Sequence, residues 1–85
     1  MKLCIGLCDE NPLHLRMIAQ EIRRLGRIRE IETEIYTWTC GSQLLQEAES
    51  SGIQLYLLEI KMPDMSGIEV AKQLNQLQPS AQIIF

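Results

Sequence analysis

Short apolar runs alternate with segments of helical periodicity along the whole sequence. The runs at 3–8, 53–60 and 81–85 are almost continuous, which is typical of strands covered on both faces. A fourth run, 31–38, alternates β-branched and aromatic residues with charged ones, as in a half-exposed edge strand. Such alternation predicts an α/β fold of the order β-α-β-α-β-α-β, with parallel strands and helices on both faces of the sheet.

Capping residues frame the predicted helices. Asn11 suits an N-cap, Pro12 suits the first helical position, and Gly26 is the predicted stop of the first helix. Two further helices are predicted from 41 to about 51 and from about 67 to 78. The edge strand places Tyr36 and Trp38 on one side, where they either cover the second helix or mark a contact surface.

Charge and cysteine content exclude several classes of protein. The net charge of −3 argues against direct nucleic-acid binding, which requires an excess of Lys and Arg. The three cysteines, Cys4, Cys8 and Cys40, form no CxxC pair, so neither a disulfide framework nor a zinc site is expected. No apolar stretch reaches the length of a membrane span, and the first residues do not form a signal peptide. These features predict a cytoplasmic protein with no membrane contact.

Two of the predicted strands end in carboxylates. Asp9 and Glu10 follow the first strand, and Glu59 closes the third. If these strands are neighbours, the acids converge at the carboxyl edge of the sheet, where doubly wound proteins bind ligands. Like charges at close range need a cation between them, and oxygen ligands suit Mg²⁺. The alternative is that the acids only cap strands and helices at a wet edge, although an acid inside an apolar run needs a partner if it is buried.

Two motifs resemble a known family. The segment 57–67, Leu-Leu-Glu-Ile-Lys-Met-Pro-Asp-Met-Ser-Gly, is similar to the region around the phosphorylated aspartate of two-component response-regulator receiver domains, with Glu59 at the acceptor position. The opening 8–12, Cys-Asp-Glu-Asn-Pro, resembles the acidic pair of that family. The second strand and the ending 83–85 resemble the branch with a LytTR-type DNA-binding output domain. The resemblance covers residues 1–85 and implies an incomplete doubly wound, flavodoxin-like sheet of strand order 2-1-3-4.

The resemblance also implies a site and a partner. Receiver domains accept a phosphoryl group from a sensor histidine kinase onto an aspartate at a bound Mg²⁺, and they act as signalling modules rather than enzymes. Carried over by position, the metal ligands are Asp9, Glu10, Glu59 and the backbone carbonyl of Lys61. The phosphoacceptor position is Glu59.

Two departures from the family pattern modify this expectation. Glutamate replaces the acceptor aspartate, so a poor phosphoacceptor is expected. The Ser or Thr after the fourth strand and the Lys after the fifth strand of the family do not occur within the 85 residues, so we interpret residues 1–85 as a partial receiver domain, degenerate or truncated, that acts by conformation and contact. An uncovered sheet face and the edge of the fourth strand predict self-association.

Besides a pure scaffold that binds no metal, two alternatives remain open at this level. One is an ordinary receiver fragment with an engineered Glu59. The other is a small Mg²⁺-dependent phosphohydrolase with Asp9 as nucleophile, although the DxD spacing favoured by such enzymes is missing, since Glu10 and Asn11 follow Asp9.

Overall fold

The computed structural model describes all 85 residues as one four-stranded sheet with three helices. In chain order the elements are β1 (Lys2–Cys8), α1 (Pro12–Ile28), β2 (Glu32–Trp38), α2 (Gly41–Ser51), β3 (Leu55–Leu58), α3 (Gly67–Leu77) and β4 (Gln82–Ile84). All strand pairs are parallel, and the strand order is β2-β1-β3-β4. The predicted fold class and strand order are therefore confirmed. None of the helices combines the length and hydropathy needed to span a bilayer.

Helices cover both faces of the sheet, and each face has its own core. The larger core lies between the sheet and the helices α2 and α3, and it contains Cys8, Trp38, Leu44, Ala48, Ile53, Tyr56, Leu58, Val70 and Leu74. The smaller core lies under α1 and contains Ile5, Leu7, Leu15 and Ala19. Trp38 is only 5% exposed, and its Nε1 donates to Glu47 Oε1 at 3.2 Å. Of the two interpretations left open for Trp38, the structure shows that it covers α2.

Gly26 does not end α1, contrary to the sequence prediction. The helix continues to Ile28, and Glu30 adopts the left-handed conformation with φ 57°. The amide of Ile31 donates to the carbonyl of Gly26 at 2.8 Å, and that of Glu30 to Arg27 at 3.3 Å, which is the hydrogen-bond pattern of a Schellman motif. Gly26 is needed for packing instead, because a Cβ there would lie 2.9 Å from the Ile31 carbonyl oxygen.

The strand β3 is shorter than the apolar run predicts. It ends at Leu58, so Glu59 and Ile60 lie outside it and are exposed. The amide of Glu59 still donates to the carbonyl of Cys8 at 2.9 Å, but the chain then turns, and the Ile60 carbonyl accepts from the amide of Gly67 at 2.7 Å. The strand prediction to Ile60 is therefore too long. Because Glu59 is exposed, the condition under which its carboxylate would need a partner is not met.

Candidate functional site

The strands β1 and β3 are neighbours and end side by side. Cys8 is paired with Leu58, so Asp9 and Glu59 leave the sheet at the same edge. Both acids line one pocket of about 220 Å³. Its other lining residues are Leu7, Cys8, Leu15, Ile18, Leu57, Leu58 and Phe85. The sequence argument that parallel strand ends bring distant acids together is thus supported for this pair.

Asp9 is buried at this edge of the sheet, and contacts of both its backbone and its side chain hold it there. It is 7% exposed, and its backbone N–H donates to the Trp38 carbonyl at 3.1 Å. Its Oδ1 accepts from the amide of Asn11 at 2.9 Å, and its Oδ2 lies 3.4 Å from Nδ1 of His14. The side chain of Asn11 in turn accepts from the amide of Leu13 at 2.9 Å, which caps α1 as predicted. One oxygen of Asp9 therefore fixes the turn, while the other faces a histidine.

His14, which faces Asp9, is not among the site residues predicted from the sequence. Its side chain is 58% exposed, yet it reaches Asp9. The signal was available in the helix start, because a helix that begins at Pro12 places residue 14 in its first turn, next to the end of β1.

The other predicted ligands lie nearer to solvent. Glu10 and Glu59 are both exposed, and Glu10 is not among the residues that line the pocket. Lys61 is exposed in the segment between β3 and α3. No set of three or more His, Cys, Asp or Glu side chains is arranged so that it could hold a metal ion. The proposed ligand set stays a prediction, and Asp9 with Glu59 is the part of it that the fold brings to one pocket.

The residues 59–66, here called the acceptor loop, are fixed at their end by a close backbone contact. A Cβ on Gly67 would lie 2.2 Å from the carbonyl oxygen of Glu59, so only glycine allows α3 to start at this distance. Ser66 caps α3 by accepting from the amide of Glu69 at 3.2 Å. The family-like glycine at the end of the motif therefore has a physical role, since it lets the chain return against Glu59.

A carboxylate joins the acceptor loop to α2. Asp64 accepts from the amides of Gly41 at 3.0 Å and Ser42 at 2.8 Å, through one oxygen each. Hydrogen bonds from Ser42, and then from Gly41, lower the pKa of Asp64 to about 2. Cys40, the N-cap residue of α2, makes no side-chain capping bond, so Asp64 takes over that function from 22 residues away along the chain.

Sulfur contacts anchor the loop to β1. The thiol of Cys8 lies 3.2 Å from Sδ of Met62, and Met62 packs against the larger core. Burial, with smaller contributions from Cys40, Asp64 and Asp9, raises the pKa of Cys8 to about 12. The thiol therefore stays protonated at neutral pH and behaves as a packing group.

Comparisons with known proteins agree with this geometry. The profile of the response regulator receiver domain matches residues 5–85. The response regulator protein TodT of Pseudomonas putida is 31% identical over 81 residues, which are 95% of this chain and 33% of TodT. The signal transduction histidine-protein kinase BarA of Escherichia coli K12 is 24% identical over 82 residues, which are 96% of this chain and 8% of BarA. The chain thus spans about a third of the length of TodT.

Solved structures share the fold. The structure of histidine kinase ThkA in complex with the response regulator protein TrrA matches with a TM-score of 0.77 and 26% identity, covering 95% of this chain and 65% of the matched one. A CheY-like receiver domain from Methanospirillum hungatei JF-1 matches with a TM-score of 0.70 and 23% identity, covering 98% of this chain and 62% of the other. The profile match over residues 5–85 shows that this chain belongs to the response regulator receiver domain family.

Proposed function

We propose that this chain is a receiver module of two-component signalling that accepts phosphoryl groups poorly and acts through conformation and protein contact. The observation that carries this proposal is the position of Glu59, which shares a pocket with the buried Asp9 at the strand end where the family motif has its acceptor. One additional methylene moves a carboxylate by about 1.5 Å. Displacements of about 1 Å can lower a rate about a hundredfold.

A divalent ion fits the donor chemistry of this pocket. Mg²⁺ prefers oxygen ligands and keeps several waters, so it needs only one or two protein carboxylates. Asp9 and Glu59 supply these, with Glu10 and the Lys61 carbonyl as the further ligands that the resemblance implies. When bound, the ion would neutralise the charge that the two carboxylates and a phosphoryl group bring together. The ion would supply this charge neutralisation, and the protein itself would hold the Glu59 carboxylate in position.

Acetyl phosphate provides the direct experiment. The wild-type chain and the variant Glu59→Asp are incubated with acetyl phosphate and Mg²⁺, and the intact masses are recorded over time. We expect a single phosphoryl adduct on Glu59→Asp and little or none on the wild type. The variant Glu59→Gln is the matched control, because it keeps the length of glutamate without a nucleophilic oxygen anion.

The outcomes separate the proposal from its rivals. A rapid and nearly complete adduct on Glu59 of the wild type would overturn the proposed loss of acceptor function. Hydrolysis of a generic phosphate ester that is abolished by Asp9→Asn would support the phosphohydrolase alternative instead.

The proposed partner is a sensor histidine kinase, bound at the start of α1. Leu13 and Met17 are 55% and 59% exposed on this helix, and Ile18 of the same helix lines the pocket. Apolar side chains this exposed next to a functional pocket favour a protein contact. The matching solved structure of a histidine kinase with a response regulator concerns other proteins, and it supports a partner of this class for the present chain.

Two matched variants test whether the exposed apolar side chains at the start of α1 bind the kinase. We expect Leu13→Glu to weaken the binding of a histidine kinase domain, drawn from a panel of such domains and followed by biolayer interferometry. Leu25→Glu is the control, because Leu25 is 47% exposed on the same helix but near its other end. Equal binding of both variants would argue against a contact at the start of α1.

Three further features belong to this proposal. Self-association through the β4 edge is supported by the exposure of Ile84 and Phe85. Membership of the branch with LytTR-type regulators is supported by the resemblance of the second strand and of the segment 83–85. A cytoplasmic location is supported by three free cysteines.

A further inference from the structure

Backbone hydrogen bonds hold the acceptor loop at both ends, from the Glu59 amide to the Cys8 carbonyl at 2.9 Å and from the Gly67 amide to the Ile60 carbonyl at 2.7 Å. Between these ends, Asp64 makes the polar link from the loop to another helix. The contact of Gly67 with Glu59 lies within the loop and its own helix, and the contact of Met62 with Cys8 is apolar in character. Asp64 alone uses both carboxylate oxygens to bind another helix, at the amides of Gly41 and Ser42.

The same region of α2 packs closely against the loop and against α3. A Cβ on Gly41 would lie 2.6 Å from Cγ2 of Val70 and 2.8 Å from Cγ of Met65, so the start of α2 is in contact with both the loop and α3. Since Gly41 presents its amide to Asp64 at this point, the carboxylate joins the loop to this closely packed start of α2.

We propose that Asp64 is a positioning residue for the pocket: by binding the start of α2, its carboxylate fixes where Glu59 and the Lys61 carbonyl stand relative to Asp9. The loop and the start of α2 then move as one unit, so a change at Glu59 reaches α2. This inference rests on the proposed metal-holding function of the pocket. Residues that orient metal ligands from the outer shell typically change metal affinity about 10- to 100-fold when they are replaced.

Calorimetric titration with Mg²⁺ compares three variants with the wild type. We expect Asp64→Ala to weaken Mg²⁺ binding about tenfold or more. We expect Asp64→Asn to fall between it and the wild type, since an amide oxygen can accept from one backbone N–H but its nitrogen cannot accept from the other. The matched control is Gly52→Ala, which strains the other end of α2 at φ 65° where nothing lies within 4 Å of the added Cβ. It lowers stability without touching the loop, so its Mg²⁺ affinity should equal that of the wild type.

Amide hydrogen exchange gives a readout that needs no metal. The amide of Gly67, bonded to the Ile60 carbonyl, should exchange about tenfold faster in Asp64→Ala than in Gly52→Ala at matched stability. Equal exchange and equal Mg²⁺ affinity in Asp64→Ala and Gly52→Ala would overturn the positioning role. If the wild type binds no Mg²⁺, the metal-holding function fails, and the exchange of Gly67 decides the positioning role by itself. Should Asp64→Ala not fold, the same comparisons are made with Asp64→Asn.

Discussion

The carbonyl oxygen of Glu59 faces Gly67 so closely that a Cβ at position 67 would lie only 2.2 Å from it. We therefore expect Gly67→Ala to lower the free energy of unfolding by about 1–3 kcal/mol, as over-packed sites do, measured by urea denaturation. Because the obstacle is backbone and not a flexible side chain, relief requires Glu59 to shift. Mg²⁺ binding at the pocket should weaken together with stability.

Gly52→Ala is the control for this prediction too. Its cost arises from a left-handed backbone at φ 65° and not from a steric contact, so we expect a loss of stability of about 1–2 kcal/mol with no effect on the pocket. A Gly67→Ala variant as stable as the wild type would contradict the proposed packing of Glu59 against α3.

Because the phenol of Tyr56 is buried, we expect the folded state to lose stability in alkaline solution. It is fully buried, its hydroxyl donates to Gln78 Oε1, and burial raises its pKa from 10.0 to about 12. A group whose pKa is higher in the folded state stabilises the fold below its unfolded pKa, and this contribution is lost as the pH rises from about 10 to about 12. Tyr56→Phe should cost about 1 kcal/mol at neutral pH through the lost hydrogen bond.

The variant should also unfold with a flatter pH dependence above about pH 10, when thermal unfolding is followed by circular dichroism. Cys8 acts in the same direction from about pH 9, because its pKa is raised from 9.0 to about 12. Cys8→Ala in the Tyr56→Phe background removes that second contribution. An unchanged alkaline slope in Tyr56→Phe would show that the buried phenol is not responsible.

Periodicity and strand ends were sufficient to predict much of this molecule. Parallel strands with short connections carry their carboxyl ends to one edge, so the sharing of a pocket by Asp9 and Glu59 followed from sequence order once β1 and β3 were neighbours. The helix start at Asn11 was also predicted, because an N-cap acts on amides two residues away. Prediction from sequence succeeds where two contacting residues are close in sequence, or where the order of the strands determines which residues meet.

The predictions that failed depend on contacts that a local sequence pattern does not contain. Gly26 was taken for a helix stop, but the left-handed residue is Glu30, and the glycine serves a contact with the backbone of Ile31. The third strand was expected to continue to Ile60, whereas β3 ends at Leu58 and the chain leaves the sheet before Glu59. The capping role of Asp64 was missed because its partner amides lie 22 and 23 residues away in sequence.

Acid should release the acceptor loop from α2 within a defined pH range. The pKa of Asp64 is lowered from 3.8 to about 2, so its stabilising contribution is present above about pH 4 and is lost as the pH falls to about 2. The amide shifts of Gly41 and Ser42 in a series of heteronuclear NMR spectra report this step. In Asp64→Asn the step should disappear, and a step that persists in the variant would assign it to another carboxyl group.

The strand β4 has a hydrogen-bonded neighbour on one side only, β3, and therefore presents a free edge. Ile84 in β4 and Phe85 directly after it are 50% and 58% exposed, and apolar residues this exposed beside a free strand edge favour pairing with another chain. We expect the wild type to self-associate, and Ile84→Lys to remain monomeric at the same concentration, because a charged side chain on an edge strand disfavours pairing. Multi-angle light scattering across a concentration series measures both.

Ile68→Lys is the control, since it introduces the same charge at an apolar residue that is 49% exposed, close to the exposure of Ile84, but lies on α3 away from the edge. If Ile68→Lys dissociates the protein as fully as Ile84→Lys does, the effect is one of net charge, and a wild type that stays monomeric throughout the series would refute association at this edge.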